Sequence, residues 1–572
     1  MRKFGFYARL AAQNMKKNGK YYLPYLLTCV GAAAMLYTMF FLSGNSGVKE
    51  MRGAQYVYSM LFLGTGVIGI FSAIIILYTN SFLMKRRKKE IGLYNILGME
   101  KRHIARFLFW ETIYTAIVGI VGGLAVGILL SKLMLLVLCK LLRAGVPFGF
   151  FVSVPGIVWT AAVFCFIFIL CLVGNLLRIG RAKPIELLRG DNEGDREPKT
   201  RLLLAIIGVV TLAAGYGIAI SVKTPLSALG LFFVAVLLVI AGTYCLFTAG
   251  SIAILKALRK NKGYYYTTKH FIAVSGMLHR MKRNAAGLAS VCILSTMVLV
   301  TVSSTACLYF GTEETIERMY PHDVGVLMFE SDEASMNAVV DIVQTMAEES
   351  GAEIKNLQYV RYYGSMGGID DNKIGDILKQ ASHGEVLNGE GKDYLPTVYV
   401  GFDLRGEAPE SFRDYSVFDK MEGLTYKSAY IQERGDNADE LYSMYGGFFF
   451  IGMLLGFMFL MATALIIYYK QVSEGYEDAE GFKIMQQVGM SKQEVRTSIH
   501  GQIMTVFFLP IVAATVHVAF AFPMITKLLA ALLLTNVGLF AMSTAATALS
   551  FACIYAIVYA LTAKAYYKIV KA

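Results

Sequence analysis

The stretch "LYNILGMEKRHIARF" begins at Leu93, and a similar stretch, "FKIMQQVGMSKQEVRTS", begins at Phe482. Aligned on their Gly-Met steps, the two copies lie 391 positions apart, and both are polar segments beside long apolar runs. A polar segment that recurs beside apolar runs indicates that the chain contains a duplicated unit. We therefore read the rest of the chain outward from these two repeated segments.

Each repeated segment has the pattern of a short amphipathic helix that ends at a Gly-Met step. Glycine permits the tight turn that ends a helix there, and the apolar positions recur on one helical face. A simpler interpretation is that two interfacial helices merely join neighbouring spans. The positions concerned are Leu93, Ile96, Leu97, Gly98 and Met99 in the first segment and Phe482, Met485, Val488, Gly489 and Met490 in the second.

The composition indicates a membrane protein. Of 572 residues, 56% are hydrophobic and 17% are charged, and the mean hydropathy is +0.53. A helix of about 20 apolar residues spans the hydrocarbon core of a bilayer, and the chain holds ten apolar runs of about that length or more. The runs cover 21–43, 56–84, 107–138, 156–177, 202–222, 227–249, 286–310, 445–469, 503–532 and 540–563.

The charges between the runs predict the orientation. Residues 85–106 hold eight Lys/Arg and two Glu, whereas the loops 44–55, 223–226 and 533–539 carry few charges. Because an excess of Lys and Arg marks the cytoplasmic side, both termini are expected to be cytoplasmic. The predicted fold is an α-helical polytopic membrane protein with ten transmembrane helices and one α+β extracellular domain between helices seven and eight.

The segment 311–441 differs from the rest, with 27 acidic and 11 basic residues. "VGVLMF", "IKNLQYVRYYGSM" and "LPTVYVGFDL" predict strands, and 334–349 predicts an amphipathic helix. Its acidity fits a solvated surface, or a surface that attracts cationic peptides. The basic residues elsewhere flank the membrane, so nucleic-acid binding is not expected despite the overall charge of +13. Removing 331–430 is expected to spare insertion and to abolish recognition of a peptide.

These observations divide the chain into five parts. The first twenty residues lack the compact apolar core of a cleaved signal peptide and predict an interfacial helix, or simply a basic flank of the first span. The parts are the N-terminal helix 1–20, a first membrane unit with spans one to four in 21–201, spans five to seven in 202–310, the extracellular domain 311–442, and spans eight to ten in 443–572.

Several polar residues lie within or beside the predicted spans. Lysine and arginine near the outer leaflet could match the charge of a lipid pyrophosphate, although snorkelling to the headgroups explains them more simply. The candidate lipid contacts are Lys132, Lys140, Arg143 and Lys527. His517 and Asn175 lie deeper, where an interhelical hydrogen bond is the commoner role. For Glu111 we expect a nearby basic partner.

No enzyme site is predicted in this chain. It lacks the G-x-x-x-x-G-K-[ST] loop that cradles nucleotide phosphates, and it has no G-x-S-x-G or H-E-x-x-H motif. The eight cysteines all fall in or beside apolar runs, where cysteine usually acts as a small apolar residue. We therefore assign no catalytic residue, no metal site and no bound cofactor.

The chain resembles a known family at several of these positions. "KRRKKEIGLYNILGMEKRHI", "AEGFKIMQQVGMSKQEV" and "IGRAKPIELLRG" are similar to the cytoplasmic elements of FtsX-like ABC transporter permeases. The ten-span plan and "FFLPIVAATVHVAFAFPMITKLL" narrow the resemblance to the bacitracin-resistance (Bce-type) permeases of Gram-positive bacteria. The resemblance covers nearly all of the membrane part and is weaker over 311–441.

The resemblance implies a function and a set of partners. The repeated segments would be coupling sites for two copies of a separate ATPase subunit that holds the ATP and Mg²⁺. The complex would lie in the bacterial plasma membrane, confer antimicrobial-peptide resistance by freeing a lipid-linked cell-wall target, and contact a sensor histidine kinase. Two other functions remain open: a mechanical adaptor that activates an extracellular hydrolase, and an ion-coupled exporter.

Overall fold

The computed structural model describes residues 2–49, 53–145, 151–181, 202–266, 268–364, 374–380, 386–387, 395–405, 420–487 and 492–571. Within these ranges ten helices are long and apolar enough to cross a membrane, which confirms the ten predicted spans. Spans 1 to 10 are Gly19–Ser43, Ala54–Arg86, Lys101–Leu141, Val154–Arg181, Leu202–Ser221, Pro225–Cys245, Thr268–Phe310, Arg434–Gln487, Lys492–Ala531 and Val537–Lys571.

The shorter helices surround these spans. They are Arg2–Lys17, Ser46–Lys49, Lys88–Ile96, Ser251–Lys260, Lys262–Tyr265, Thr312–Met319, Glu333–Ser350 and Ile374–Gln380, with one π-helical turn, Leu246–Gly250, after span 6. Spans 7 and 8 have 43 and 54 residues, far more than a bilayer needs. The polar start of span 7 was not predicted as helix, and the amphipathic helix predicted around Phe482 and Met485 is continuous with span 8. Apolar runs do not show such extensions, because they mark only the part of a helix that lies in lipid.

The helices pack into two clusters that share span 8. Spans 1 to 4 form one apolar cluster, to which span 8 contributes Met458 and Leu465. Spans 7, 9 and 10 form a second cluster, to which span 8 contributes Phe459 and Ile466. Since adjacent residues of span 8 belong to different clusters, this helix joins the two halves of the bundle.

The repeated segments occupy corresponding places among the helices. In the first copy the helix Lys88–Ile96 precedes the Gly-Met step, and span 3 begins at Lys101. In the second copy span 8 includes Gln487 and span 9 includes Lys492, while 488–491 lie outside the described residues. Each segment therefore lies between two successive spans, as the predicted duplication requires.

The N-terminal helix packs against protein along part of its apolar stripe. Ala11 is fully buried, and Tyr7 and Leu10 pack against the same cluster, which includes Ile91 and Phe107. The ring of Tyr7 also stacks on His103, with the centroids 6.0 Å apart. The predicted helix is thus present, but much of its apolar face contacts the first repeated segment and span 3.

The α/β domain lies between spans 7 and 8 in the chain. Its strands β1 to β5 are, in chain order, Val324–Phe329, Ile354–Gly364, Val386–Leu387, Leu395–Leu404 and Ser428–Glu433. They form one sheet in the order β3-β2-β4-β1-β5. The helix Glu333–Ser350 covers one face with Met336, Val339 and Val343. The predicted strands and helix are confirmed, whereas β3 and β5 were missed. β3 has only two residues, and the side chains of β5 are only half-buried and show no alternation.

Glycines let spans 1 and 3 approach closely. Gly119, Gly123 and Gly127 recur every four residues on span 3, and each faces span 1. At Gly123 an added Cβ would lie 2.3 Å from the Cβ of Ala33 and 3.0 Å from the carbonyl oxygen of Val30. Small residues at this spacing allow membrane helices to pack backbone to backbone.

Replacing Gly123 by valine is expected to separate spans 1 and 3. Because backbone atoms of span 1 block the added side chain, we expect a loss of about 3 kcal/mol of stability, at the upper end for overpacking. Unfolding of the purified permease by SDS in mixed micelles measures this change. Gly174→Val is the matched control, since no atom lies within 4 Å of an added Cβ there. Equal stability of the two variants would contradict the proposed close packing.

Candidate functional site

The first repeated segment is a helix, a turn and the start of span 3. The helix Lys88–Ile96 ends in a Schellman turn, in which the Met99 N–H donates to Tyr94 O at 3.0 Å and the Gly98 N–H donates to Asn95 O at 3.2 Å. Gly98 has φ +96°, a conformation that favours glycine. The predicted tight turn at the Gly-Met step is therefore confirmed.

One side of this segment is held against the protein, and the other is open. Ile91 is buried, and Tyr94 and Met99 pack against the same cluster. Leu93, Ile96 and Leu97, by contrast, are 49%, 58% and 72% exposed. Three neighbouring apolar side chains beside a basic run, outside the predicted spans, form a surface that is costly to leave in water.

A buried polar cluster connects the first repeated segment to spans 1 and 3. Arg87 lies between the helices Ala54–Arg86 and Lys88–Ile96, and its side chain is 3% exposed. Its Nη1 atom donates to Glu111 Oε2 and to Tyr22 Oη, each at 2.5 Å. Its Nε atom donates to Glu90 Oε2 at 3.1 Å, and the Tyr22 hydroxyl donates to Glu111. We call these four residues the Arg87 cluster.

The electrostatics keep the guanidinium of Arg87 charged and the nearby hydroxyl of Tyr94 neutral. Desolvation alone would lower the pKa of Arg87, but Glu111, Tyr22 and Glu90 together outweigh it and raise that pKa. Partial burial, together with the Glu90 carboxylate, raises the pKa of Tyr94 to about 12. Tyr94 therefore remains a neutral donor, and its hydroxyl donates to Glu90 Oε1 at 3.0 Å.

The second repeated segment is described only in part. Phe482 and Met485 lie in the last turns of the helix Arg434–Gln487, and their side chains are not among the described ones. Val488, Gly489 and Met490 lie outside the described residues. The predicted site is therefore characterised at its first copy, and its second copy is located by the helix boundaries alone.

At the other end of span 3, a charged residue contacts the stem of the α/β domain. We use this name for the helix Thr312–Met319 together with the start of span 8. Arg143 has a positive φ of 52°, and its guanidinium lies 3.7 Å from the ring centroid of Tyr442. Its Nη1 atom lies 3.6 Å from Glu313 Oε2, and Arg434 lies 3.8 Å from Oε1 of the same carboxylate. Glu313 belongs to the helix Thr312–Met319 and Tyr442 to span 8, so three elements meet here.

The end of span 9 contacts the same stem. Arg318 donates to the carbonyl oxygen of Leu533 and to the hydroxyl of Thr535, and Asn536 Nδ2 donates to Glu314 Oε2 at 2.7 Å. Leu533 has φ +66°, like Arg143 at the end of span 3. The two duplicated spans thus end in similar turns, and both turns hold the stem of the α/β domain.

The candidate lipid contacts do not form one cluster. Lys132 and Lys140 lie on span 3, which packs on spans 1 and 4, whereas Lys527 lies on span 9, which packs on spans 5, 6 and 7. Lys140 and Lys527 are exposed and Lys132 is half-buried. Arg143 is already engaged by Glu313 and Tyr442.

The deeper polar residues make interhelical hydrogen bonds. Asn175 and Asn80 exchange two such bonds of 3.0 and 3.2 Å between spans 4 and 2. His517 of span 9 lies 2.5 Å from the Tyr216 hydroxyl and 3.1 Å from the Thr243 hydroxyl, on spans 5 and 6. Glu111 has the basic partner that the sequence predicted, but neither Arg87 nor Tyr22 was singled out. The only signal was the run 85–89, in which all five residues are Lys or Arg.

Neither metal ligands nor disulfides mark a site in the described part of the chain. No group of three or more His, Cys, Asp or Glu side chains there could hold a metal ion. The eight cysteines are free thiols.

Some acidic residues of the α/β domain have structural roles. Asp332 caps the helix Glu333–Ser350 by accepting from the Ser335 N–H at 2.8 Å, and hydrogen bonds from Ser335 lower the pKa of Asp332. Glu313 lies in the stem of the domain and pairs with Arg143, whereas Asp370 and Asp371 lie outside the described residues.

Comparison with known proteins adds an independent line of evidence. The family of FtsX-like permease C-terminal domains matches residues 62–184, which contain most of span 2, the first repeated segment, and spans 3 and 4. The ABC transporter permease YvcS of Bacillus subtilis is 22% identical over 91% of this chain and 93% of its own. The bacitracin export permease protein BceB of the same organism is 24% identical over 90% of this chain and 92% of its own. A permease of the same name from Halalkalibacterium halodurans is 25% identical over 55% of this chain and 50% of its own.

Proposed function

This chain is an FtsX-like ABC transporter permease, and from that premise we propose that it drives an extracellular domain with ATP hydrolysed in the cytoplasm. Two copies of a separate ATPase subunit, which bind ATP and Mg²⁺, dock on the two repeated segments. The movement reaches the α/β domain, which recognises an antimicrobial peptide or frees its lipid-linked cell-wall target. In this arrangement both termini are cytoplasmic.

The observation that carries this proposal is the apolar surface of Leu93, Ile96 and Leu97. These side chains are about half to three-quarters exposed, while the opposite side of their helix is anchored in the protein. An amphipathic helix that presents apolar residues is a recurring ligand for a groove on a partner protein. Docking of an ATPase there would remove the three side chains from water.

A single transmembrane helix leads from each repeated segment to the α/β domain. Span 3 begins next to the first repeated segment and ends next to Arg143, which contacts the domain stem. Span 9 begins next to the second repeated segment and ends next to Leu533, which accepts from Arg318 of the stem. Helices of 41 and 40 residues are about 60 Å long at 1.5 Å per residue. One helix thus links each proposed docking site to the stem.

The acidic surface and the named relatives favour a cationic antimicrobial peptide as the molecule sensed. With 27 acidic residues in 311–441, the domain would draw cationic peptides towards the membrane surface, and two relatives are named for bacitracin export. Contact with a sensor histidine kinase would convert this activity into a signal. Lys140 and Lys527 are exposed cations that lipid headgroups could contact.

The stoichiometry of the purified complex tests the proposal. We expect the permease, co-expressed with an ABC ATPase subunit from the same organism, to bind two ATPase copies, because it holds two repeated segments. Native mass spectrometry measures this number directly. A permease that binds no ATPase would refute the proposal, and an ion-coupled exporter would then become the better explanation.

A second measurement separates target release from a mechanical adaptor. A Walker-motif variant of the ATPase that binds but does not hydrolyse ATP should abolish bacitracin resistance in cells. Resistance that persists with this variant would contradict ATP-driven target release. If the variant kept resistance but no longer activated an extracellular hydrolase, the mechanical adaptor would be favoured.

A further inference from the structure

The helix of span 2 is interrupted next to the first repeated segment. One helix ends at Arg86, the next begins at Lys88, and Arg87 between them has φ −88° and ψ 3°, outside the helical range. A single non-helical residue between two helices is a place where their mutual angle can change. A force applied to the segment could therefore be absorbed by bending at this junction.

The side chain at the junction ties it to three helices. Arg87 bonds to Tyr22 at the start of span 1, to Glu111 near the start of span 3 and to Glu90 in the helix beyond the junction. Arg87 and Glu111 are 3% and 6% exposed, and the guanidinium also lies 5.5 Å from the ring centroid of Phe107. Buried charge-assisted hydrogen bonds of this kind fix both distance and orientation.

The second repeated segment is built differently at the same positions. There the helix Arg434–Gln487 runs without interruption from the stem of the α/β domain to the Gly-Met step. The residues 391 positions after Arg87, Glu90 and Glu111 are Asp478, Gly481 and Gln502. Aspartate and glutamine cannot form the matching ion pair. The sequence therefore places no matching ion pair at the aligned positions of the second copy, where the helix is continuous.

We infer that Arg87 is a positioning residue that braces the junction between span 2 and the first repeated segment, so that this segment moves together with spans 1 and 3. This inference rests on the proposed docking of an ATPase at each segment. The two docking sites are then mechanically different: the first transmits force through the Arg87 cluster, and the second through the unbroken helix of span 8.

Three variants of the full permease, purified with its ATPase, test the role of Arg87. Arg87→Gln should raise hydrogen exchange of the amides in 88–97 by about tenfold, because the junction is no longer held. It should also lower bacitracin-stimulated ATP hydrolysis, relative to unstimulated hydrolysis, by about tenfold. Asp478→Asn, at the matching position of the second copy, should change both quantities less than twofold. Arg87→Lys keeps the charge and should recover part of the coupling.

A further variant separates positioning from stability. Arg87→Met combined with Glu111→Leu replaces the buried ion pair by apolar side chains, which is often neutral for stability. We expect thermal stability near that of the wild type, with exchange in 88–97 still raised and stimulation still low. Full recovery of stimulation in this variant would overturn the inference, because the pair would then contribute stability alone.

Two other results are equally decisive. Unchanged exchange and stimulation in Arg87→Gln, or equal losses in Arg87→Gln and Asp478→Asn, would overturn the positioning role. The number of ATPase copies is read independently by native mass spectrometry. A wild-type permease without bound ATPase would refute the proposed function itself, while two bound copies in every variant would confine the effect to transmission.

Discussion

Leu97→Asp combined with Val488→Asp is expected to abolish bacitracin resistance while the permease still inserts into the membrane. Leu97 is 72% exposed, so its replacement removes little internal packing. A carboxylate at a docked apolar surface must lose its hydration, at a cost of about 3 kcal/mol or more. This cost corresponds to a loss of affinity of about 100-fold for each ATPase copy.

The single variants separate the two docking sites. Leu97→Asp and Val488→Asp should each remove one ATPase copy from the complex, as counted by native mass spectrometry, and each should lower resistance. Leu97→Met is the matched control, since it keeps an apolar side chain of similar volume and should retain both copies. Unchanged resistance in both aspartate variants would contradict the coupling role of the repeated segments.

Excision of the whole α/β domain is expected to remove the response to peptide and to leave the membrane part intact. The structure places better cut sites at 324–433 than at 331–430, because the shorter deletion would leave β1 and the end of β5 in the chain without β4 and the rest of the sheet. Residues 323 and 434 are adjacent, since the Arg434 N–H donates to Asp323 O at 2.9 Å. A linker of a few glycine and serine residues can therefore join them.

The excised permease should bind two ATPase copies and hydrolyse ATP at its unstimulated rate. Bacitracin should no longer stimulate hydrolysis, whereas the intact chain should respond. Because the stem contacts of Arg143, Glu313 and Arg318 lie outside 324–433, they remain available in the shortened chain. Normal stimulation by bacitracin after excision would assign peptide recognition to the membrane part instead of the α/β domain.

The sequence predicted that the site occurs twice, but not that its apolar side chains are exposed. Similar residues around Gly98 and Gly489 indicated the duplication, and each repeated segment lies between two successive spans. The exposure of Leu93, Ile96 and Leu97 could not be read from their spacing. An apolar helical face packs against protein, lipid or a partner with the same periodicity, and only the surrounding structure distinguishes these cases.

The sequence by itself determined the elements of this protein, and the tertiary structure decided their partners. Apolar runs fixed the ten spans, and short runs rich in β-branched and aromatic residues indicated three of the strands, because hydration and backbone geometry act over a few neighbouring residues. The run 85–89 gave no indication that Arg87 would face Glu111, 24 positions away, and no pattern indicated that Arg143 would meet Glu313. Such pairs form between helices brought together by packing. Their energy depends on distance and burial in the folded chain, which no local pattern of residues records.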